Sequence, residues 1–286
     1  MRIFTDIDPC HQAIQEFQRV GETVGLVPTM GALHEGHESL IRAAKARCTH
    51  AAVTLFVNPT QFGPSEDFTA YPRPLAADLR VCEQAGADLV FAPSVETMYP
   101  SGVKTSVHVS GLTDVLCGPR RPGHFDGVAT VVAKLFHILP ADAAFFGEKD
   151  YQQLAVIRQM VRDLNIPIEI VGCPTVREPD GLAMSSRNAY LTSAQRSQAT
   201  CLSRALFDAA ERIHSGERVI AEIVDGIRKG IAGSGPAQIE YVEIVDADTL
   251  EPLSFVDRPV RICLAVRIGT CRLIDNVGVD APGPSS

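Results

Sequence analysis

Apolar and polar positions follow two rhythms along this chain. Up to about residue 175, short runs that are apolar on both faces predict strands at 23–27, 51–57, 88–92, 143–146 and 168–171. Between them, 3.6-residue periodicity predicts helices at 38–48, 75–85, 127–139 and 151–164. Strands buried on both faces and separated by helices imply a parallel sheet covered on both sides, a doubly wound, Rossmann-like α/β arrangement. After the polar, turn-rich segment Arg177-Glu178-Pro179-Asp180-Gly181 the order changes. Helical patterns at 193–215 and 219–232 precede strand-like runs at 238–245, 260–266 and 271–274. Helices followed by strands, without alternation, suggest a separate, smaller α+β unit. The expected division is therefore a domain at 1–175 and a lid domain at 176–286, with a disordered tail at 281–286.

The most informative stretch is the turn after the first predicted strand, residues 28–36, which contains Gly31 and Gly36 and delivers His34 and His37 to the start of a helix. In an α/β sheet such a turn lies at the carboxyl end of a strand, where ligands bind. Free amides and the helix dipole favour an anion there. Imidazoles three apart share one helical face, so phosphate binding is the first expectation. Two alternatives are helix-surface residues and metal ligands; the latter need a third ligand, and none stands at motif spacing. Beside polyanions, histidine gains a proton readily.

Three further segments carry chemistry. Asn58 and Gln61 follow the second strand, where their amides suit a hydroxyl or carboxylate, although Asn58 serves equally as a turn-forming residue. Gly147-Glu148-Lys149-Asp150 opens another helix, with Gln153 on the same face as Asp150. Asp150 is placed for capping or metal binding, and capping accounts for it adequately. Capping does not account for Lys149, because a cation is disfavoured at a helix N-terminus unless an anion is bound there. Met184, Ser185, Ser186 and Arg187 lie in the polar loop between the two units, where a guanidinium fork matches phosphate oxygens. Arg120 and Arg121 form a basic turn with a structural or substrate role, and Asp67, Tyr71, Arg73 and Asp78 have no decisive reading.

Bulk properties narrow the class. A net charge of −8 argues against a nucleic-acid partner. No apolar run approaches the ~18 residues of a membrane span, and the N-terminus has no apolar signal region. Eight scattered cysteines without a CxxC pair read as reduced, mostly buried thiols. The expected setting is soluble and cytoplasmic.

With these segments in place, the chain resembles the pantothenate synthetase (pantoate–β-alanine ligase) family of the nucleotidylyltransferase superfamily over nearly its whole length. The resemblance is carried by PTMGALHEGH (28–37), FVNPTQF (56–62), EDFTAYPR (66–73), RPGHFDGV (121–128), FGEKDYQQL (146–154) and DGLAMSSRN (180–188). It implies an enzyme that joins pantoate to β-alanine with ATP, through a pantoyl-adenylate, with Mg²⁺ and as a homodimer. By likeness, Met30, Gly31, Ala32, Leu33, His34, Glu35, Gly36 and His37 line the ATP site, with His37 as proton donor and His34 assisting at the phosphates. Gln61 and Gln153 hold pantoate, Gln61 also being near β-alanine. Gly147, Glu148, Lys149 and Asp150 bind ATP, with Lys149 catalytic at the phosphates and Asp150 at the ribose. Val176 contacts adenine, and Met184 to Arg187 close over the nucleotide; the metal ligands are left open. The superfamily's usual Lys-Met-Ser-Lys-Ser reads Ala183-Met184-Ser185-Ser186-Arg187 here, which agrees with this family and disfavours a tRNA synthetase. The competing readings are another adenylate-forming enzyme, an ATP-sensing module, and a metal-dependent hydrolase built on His34 and His37.

Overall fold

Strand pairing turns the hydrophobic pattern into two sheets. The computed structural model describes residues 1–64 and 66–280, so the tail at 281–286 lies outside the described residues. The chain begins with β1 (Arg2–Phe4), α1 (Ile7–Arg19), β2 (Val24–Thr29), α2 (Glu35–Arg47) and β3 (His50–Leu55). It continues through α3 (Leu75–Ala85), β4 (Leu89–Phe91), α4 (Val95–Met98), α5 (His124–Ile138), β5 (Ala143–Gly147), α6 (Tyr151–Asp163) and β6 (Glu169–Cys173). The six strands form one parallel sheet in the order β1-β4-β3-β2-β5-β6. Helices α7 (Ser193–His214) and α8 (Ile220–Ala232) precede β7 (Gln238–Asp246), β8 (Val260–Ile268) and β9 (Cys271–Val279), an antiparallel sheet in the order β7-β8-β9.

The two-sheet α/β plan agrees with the expected fold class; the differences have local causes. β1 is a short, largely exposed edge strand, and α1 buries only Cys10, Ala13 and Ile14, too narrow a stripe to stand out in the sequence. α2 begins at Glu35 instead of 38, because His34 serves as its N-cap. α5 begins at His124 instead of 127. β9 runs on to Val279 past the expected end at 274, because buried Asp275 and Asn276 interrupt its apolar run.

From β2 the chain moves outward to β3 and β4, then returns to place β5 on the other side of β2, with Gly25 opposite Ala143 and Leu26 opposite Ala144. The order reverses between β2 and β5, and such a switch point opens a crevice at the carboxyl edge of the sheet. The turns after β2, β3, β5 and β6 all emerge on that edge. Tyr241, Val245, Leu250, Cys263 and Ala265 of the small sheet and its β7–β8 connection join the same apolar cluster as Leu116, Phe125 and Leu154 of the large unit. The small sheet is therefore packed onto the large one by a shared core. All eight cysteines are buried and unbridged.

Candidate active site

The histidine turn is shaped by a carboxylate from α3. Pro28 and Thr29 still belong to β2, and the turn itself needs left-handed backbone at Gly31 (φ 81°) and at Ala32 (φ 53°). The non-glycine residue carries a strain cost there. Buried Asp78 on α3 offsets it, accepting the amides of Ala32 and Leu33 at 2.9 and 2.8 Å. His34 then caps α2: its Nδ1 accepts the Gly36 amide at 3.1 Å, while Nδ1 of His37 accepts the His34 amide at 3.3 Å. A ring nitrogen that accepts an N–H is unprotonated, so each neutral ring carries its proton on Nε2. The rings lie 4.2 Å apart. Burial, with Lys149 adding to it, pushes His34 down to about 4; burial and the neighbouring His34 push His37 down to about 3. At pH 7 the pair presents two neutral Nε2–H donors, and protonation waits for a polyanion to offset the burial.

The turn after β3 holds a carboxamide in place from several sides. Buried Asn58 accepts the Thr60 amide at 3.3 Å and the Tyr99 hydroxyl at 2.9 Å, and donates to the Gln61 side-chain oxygen at 3.0 Å and the Gly127 carbonyl at 3.1 Å. Both of its donors are spent inside the protein, so Asn58 builds the turn and orients Gln61. The Gln61 Nε2 donates to the Met30 sulfur at 3.1 Å, a weak acceptor that a ligand oxygen would outcompete. From α5, His124 Nδ1–H donates to the Gln61 carbonyl at 2.8 Å while its Nε2 accepts from Arg121 at 2.8 Å. Arg121 in turn pairs with both oxygens of Glu66 at 2.7 Å. Burial opposes the Glu66 charge, but the Arg121 guanidinium wins and holds that carboxyl down at about 2. Burial, then Arg121, pushes His124 down to about 4.

After β5, residues 148–150 form a single 3-10 turn that leads into α6. Asp150 stands at the N-cap of α6 but its side chain caps nothing, so capping does not account for it. Its carboxylate lies 3.8 Å from the Lys149 ammonium. The Glu148 carboxylate turns instead to Arg261 of the small sheet, at 3.0 Å. Beyond β6, the Met184 amide donates to the Val176 carbonyl at 3.0 Å, folding the loop back on itself. Ser185 caps the 3-10 turn Ser186–Tyr190. Arg187 reaches across to Asp67 at 3.1 Å and sits over the Tyr71 ring, tying this loop to the one after β3.

These turns enclose a cavity of about 230 Å³. It gathers Met30, His34, Gly36 and His37 with Gly147, Lys149 and Asp150, with Val176 and Met184 to Arg187, and with Gln61 and Gln153. Gly31, Ala32, Leu33, Glu35 and Glu148 do not line it. Sequence reasoning missed His124, Thr175 and an apolar wall of Val128, Val131, Val132 and Leu135 on α5. It also left Asp78 and Tyr71 without a role. The Arg-Pro-Gly-His motif was the available signal for His124; nothing in the spacing linked Asp78 to a turn more than forty residues earlier. A wider cavity of about 770 Å³ between the sheets shares Arg121, Lys149, Asp150, Ser185 and Arg187 with the first. Among the described residues no third His, Cys, Asp or Glu joins His34 and His37 in a metal-binding cluster.

Residues 2–278 match the family model described as pantoate-beta-alanine ligase. A pantothenate synthetase from Geobacter sulfurreducens is 52% identical over 276 residues, covering 96% of this chain and 98% of that protein. One from Dinoroseobacter shibae is 55% identical over 264 residues, covering 92% and 94%. The crystal structure of pantothenate synthetase from Thermus thermophilus superposes with a TM-score of 0.92 at 46% identity, covering 97% of this chain and 99% of that one. The pantoate-beta-alanine ligase of Francisella tularensis, complexed with beta-gamma ATP and beta-alanine, gives 0.79 at 35% identity with both chains fully covered. A parallel sheet with its crevice at the β2/β5 switch point, donors converging on one cavity, and matches of this depth over nearly the full length lead to a single conclusion: the chain belongs to the pantoate–β-alanine ligase family.

Proposed function

We propose that the family's reaction runs in this one cleft: ATP, pantoate and β-alanine give pantothenate, AMP and pyrophosphate through a pantoyl-adenylate. The observation that carries the assignment is that the 230 Å³ cavity is lined by two chemically distinct sets of residues. One set suits phosphates: His34 and His37, the Lys149 ammonium and the Arg187 guanidinium. The other is the valine and leucine wall of α5, and the Gln61 and Gln153 amides line the same cavity. Pantoate has paired methyl groups, two hydroxyls and a carboxylate, and so suits an apolar wall edged by neutral amides.

In the first step a pantoate carboxylate oxygen forms a bond to the α-phosphorus as the bond to pyrophosphate breaks. Negative charge grows on the phosphate oxygens, where positioned N–H donors and a lysine act most strongly. His37 donates a hydrogen bond from Nε2 to those oxygens, and acts as the proton donor that the family likeness assigns only once the phosphate charge has raised its pKa enough for it to take up a proton; His34 and Lys149 assist at the phosphates. In the second step the β-alanine nitrogen forms a bond to the acyl carbon, the bond to AMP breaks, and the nitrogen loses a proton. Gln61 stands near β-alanine as well as pantoate. Met30, Gly36, Gly147, Val176, Met184, Ser185 and Ser186 contact the nucleotide, and Asp150 reaches the ribose. Gly31, Ala32 and Leu33 shape the turn beneath it, and Glu35 and Glu148 contribute through the backbone. Mg²⁺ would be held chiefly by the substrate phosphates, since the family likeness leaves the Asp150 carboxylate to the ribose. Bound there it supplies charge neutralisation at the phosphates.

The catalytic unit spans 1–175 and the smaller α+β unit 176–286, a boundary supported by the end of β6 at Cys173. The enzyme works as a cytoplasmic homodimer, without a nucleic-acid or membrane partner; sedimentation of the purified protein tests the dimer. None of the helices is long and apolar enough to cross a membrane, among the described residues. The decisive assay is pantoate-dependent exchange of labelled pyrophosphate into ATP in the absence of β-alanine. Exchange is expected, and a preparation that makes pantothenate without showing it would rule out the free adenylation step.

A further inference from the structure

The turn that carries Lys149 grows out of the large sheet, yet its backbone is gripped by the small one. Asn276 on β9 donates from Nδ2 to two successive carbonyls, Glu148 at 3.0 Å and Lys149 at 2.8 Å. Its Oδ1 accepts Arg261 Nε at 2.7 Å. Arg261, on β8, closes the ring: its Nη2 meets the Glu148 carboxylate at 3.0 Å and its guanidinium lies 3.8 Å from the centre of the Tyr151 ring. Asn276 is 5% exposed, next to the equally buried Asp275. Both amide protons and the amide oxygen of its side chain are used on this contact. A buried carboxamide is costly unless it is fully paired. Here the pairing is directed at the one turn that supplies the ammonium of the cleft.

The preceding residue does the same for the other side of the site. Buried Asp275 takes Arg177 through both oxygens, at 2.7 and 2.9 Å, and Arg177 also donates to the Gly181 carbonyl at 3.1 Å. Two consecutive residues of β9 therefore reference the 147–150 turn and the 177–187 loop to one strand. That strand contributes Cys271, Arg272, Leu273, Ile274 and Asp275 to the wider cavity but no residue to the 230 Å³ cavity.

We propose that Asn276 is a positioning residue for Lys149: by fixing the Glu148 and Lys149 carbonyls it sets the direction in which the lysine ammonium enters the phosphate side of the cleft. The inference rests on the assignment of Lys149 to the phosphates made above. Without the two donated hydrogen bonds the turn keeps its sequence and its helix but loses its angle, and a displacement of ~1 Å at a reacting group costs on the order of 10²-fold in rate.

The test is a double-mutant cycle read by pyrophosphate exchange with saturating pantoate, using the whole protein. Asn276→Asp keeps the acceptor for Arg261 but replaces the donors by a carboxylate oxygen that repels the two carbonyls; Asn276→Ala removes donors and acceptor without adding charge. Each is expected to lower exchange by about 10-fold or more in the native background, and to change the residual rate of Lys149→Ala by less than about 2-fold. Equal losses in the two backgrounds would overturn the proposal, because Asn276 would then act independently of Lys149. So would undiminished exchange in both single variants, or the disappearance of a cooperative melting transition, which would make Asn276 part of the sheet's architecture. Absence of pantoate-dependent exchange in the unsubstituted protein is a different result, and refutes the reaction assignment instead.

Discussion

Replacing Gly127 by alanine sets two well-defined forces against each other. Gly127 lies in the first turn of α5, where that helix meets the backbone of residues 59–61. A Cβ at 127 would stand 2.3 Å from the Thr60 carbonyl oxygen, 2.5 Å from its carbon and 2.7 Å from Gln61 Cα. All three neighbours are main chain, so no rotamer change relieves them, and comfortable carbon contacts begin near ~3.5 Å. The helix must therefore move off the turn by about 1 Å. Helix propensity alone favours alanine by about 1 kcal/mol. Overpacking costs about 1–3 kcal/mol. Breaking the 3.1 Å bond from Asn58 to the Gly127 carbonyl leaves a buried amide unpaired, for about 1–3 kcal/mol more. Packing wins, by about 1–5 kcal/mol. At ~2–4 °C per kcal/mol the melting temperature should fall by several degrees or more. The same displacement moves Gln61, so exchange at low pantoate should drop by ~10²-fold while higher pantoate recovers part of it. Calorimetry and pyrophosphate exchange at graded pantoate measure both effects. A raised melting temperature with an unchanged pantoate KM would show that propensity governs and that the backbone contact places nothing.

Asp78→Asn leaves one acceptor for two amides and turns an N–H₂ toward the other; about 1.5–3 kcal/mol of charge-assisted bonding is lost, and ATP affinity measured by calorimetry should weaken at least 10-fold. An unchanged affinity would mean that the Ala32 turn keeps its shape unaided. Acid should destabilise the protein through its histidines. His34, His37 and His124 sit below the unfolded value of 6.5, at about 4, 3 and 4, so their stabilisation is complete above 6.5 and is lost as pH falls toward those values. For each, the loss by pH 5 is about 2 kcal/mol, and His124→Gln should flatten the fall in melting temperature between pH 6.5 and 5; identical curves would contradict the assignment. The loop at 177–190 should be cut more slowly by protease when ATP is present, as lids are; equal rates would count against closure.

The parallel sheet and its crevice were legible because five of its six strands announce themselves by an apolar run, β1 being the exception, and the binding turns by Gly, His, Asn or Lys at the run's carboxyl end. Helix starts were less legible. His34 caps α2 through a ring nitrogen, a role that the usual Ser, Thr, Asp and Asn signals do not cover. Long-range polar pairs were the least legible of all. Asp78 to Ala32, His124 to Gln61 and Asn276 to Lys149 each join segments whose proximity is created by the fold. The polar pair at 275–276 even shortened the strand expected there, although the interruption was itself the trace of contacts to the 147–150 turn and to Arg177.

The pairing of β2 with β5 has a kinetic consequence. The histidine turn and the lysine turn are neighbours only because Gly25 and Leu26 meet Ala143 and Ala144, more than a hundred positions later in the chain. Closing so long a loop is entropically slow. Local helices and the β2–β3 pair form from nearby segments and need not wait for it. On refolding, far-ultraviolet circular dichroism should therefore recover before nucleotide binding does. An N-terminal fragment ending before residue 143 should collapse without acquiring affinity for ATP, so nucleotide can stabilise the finished sheet but cannot guide its early assembly.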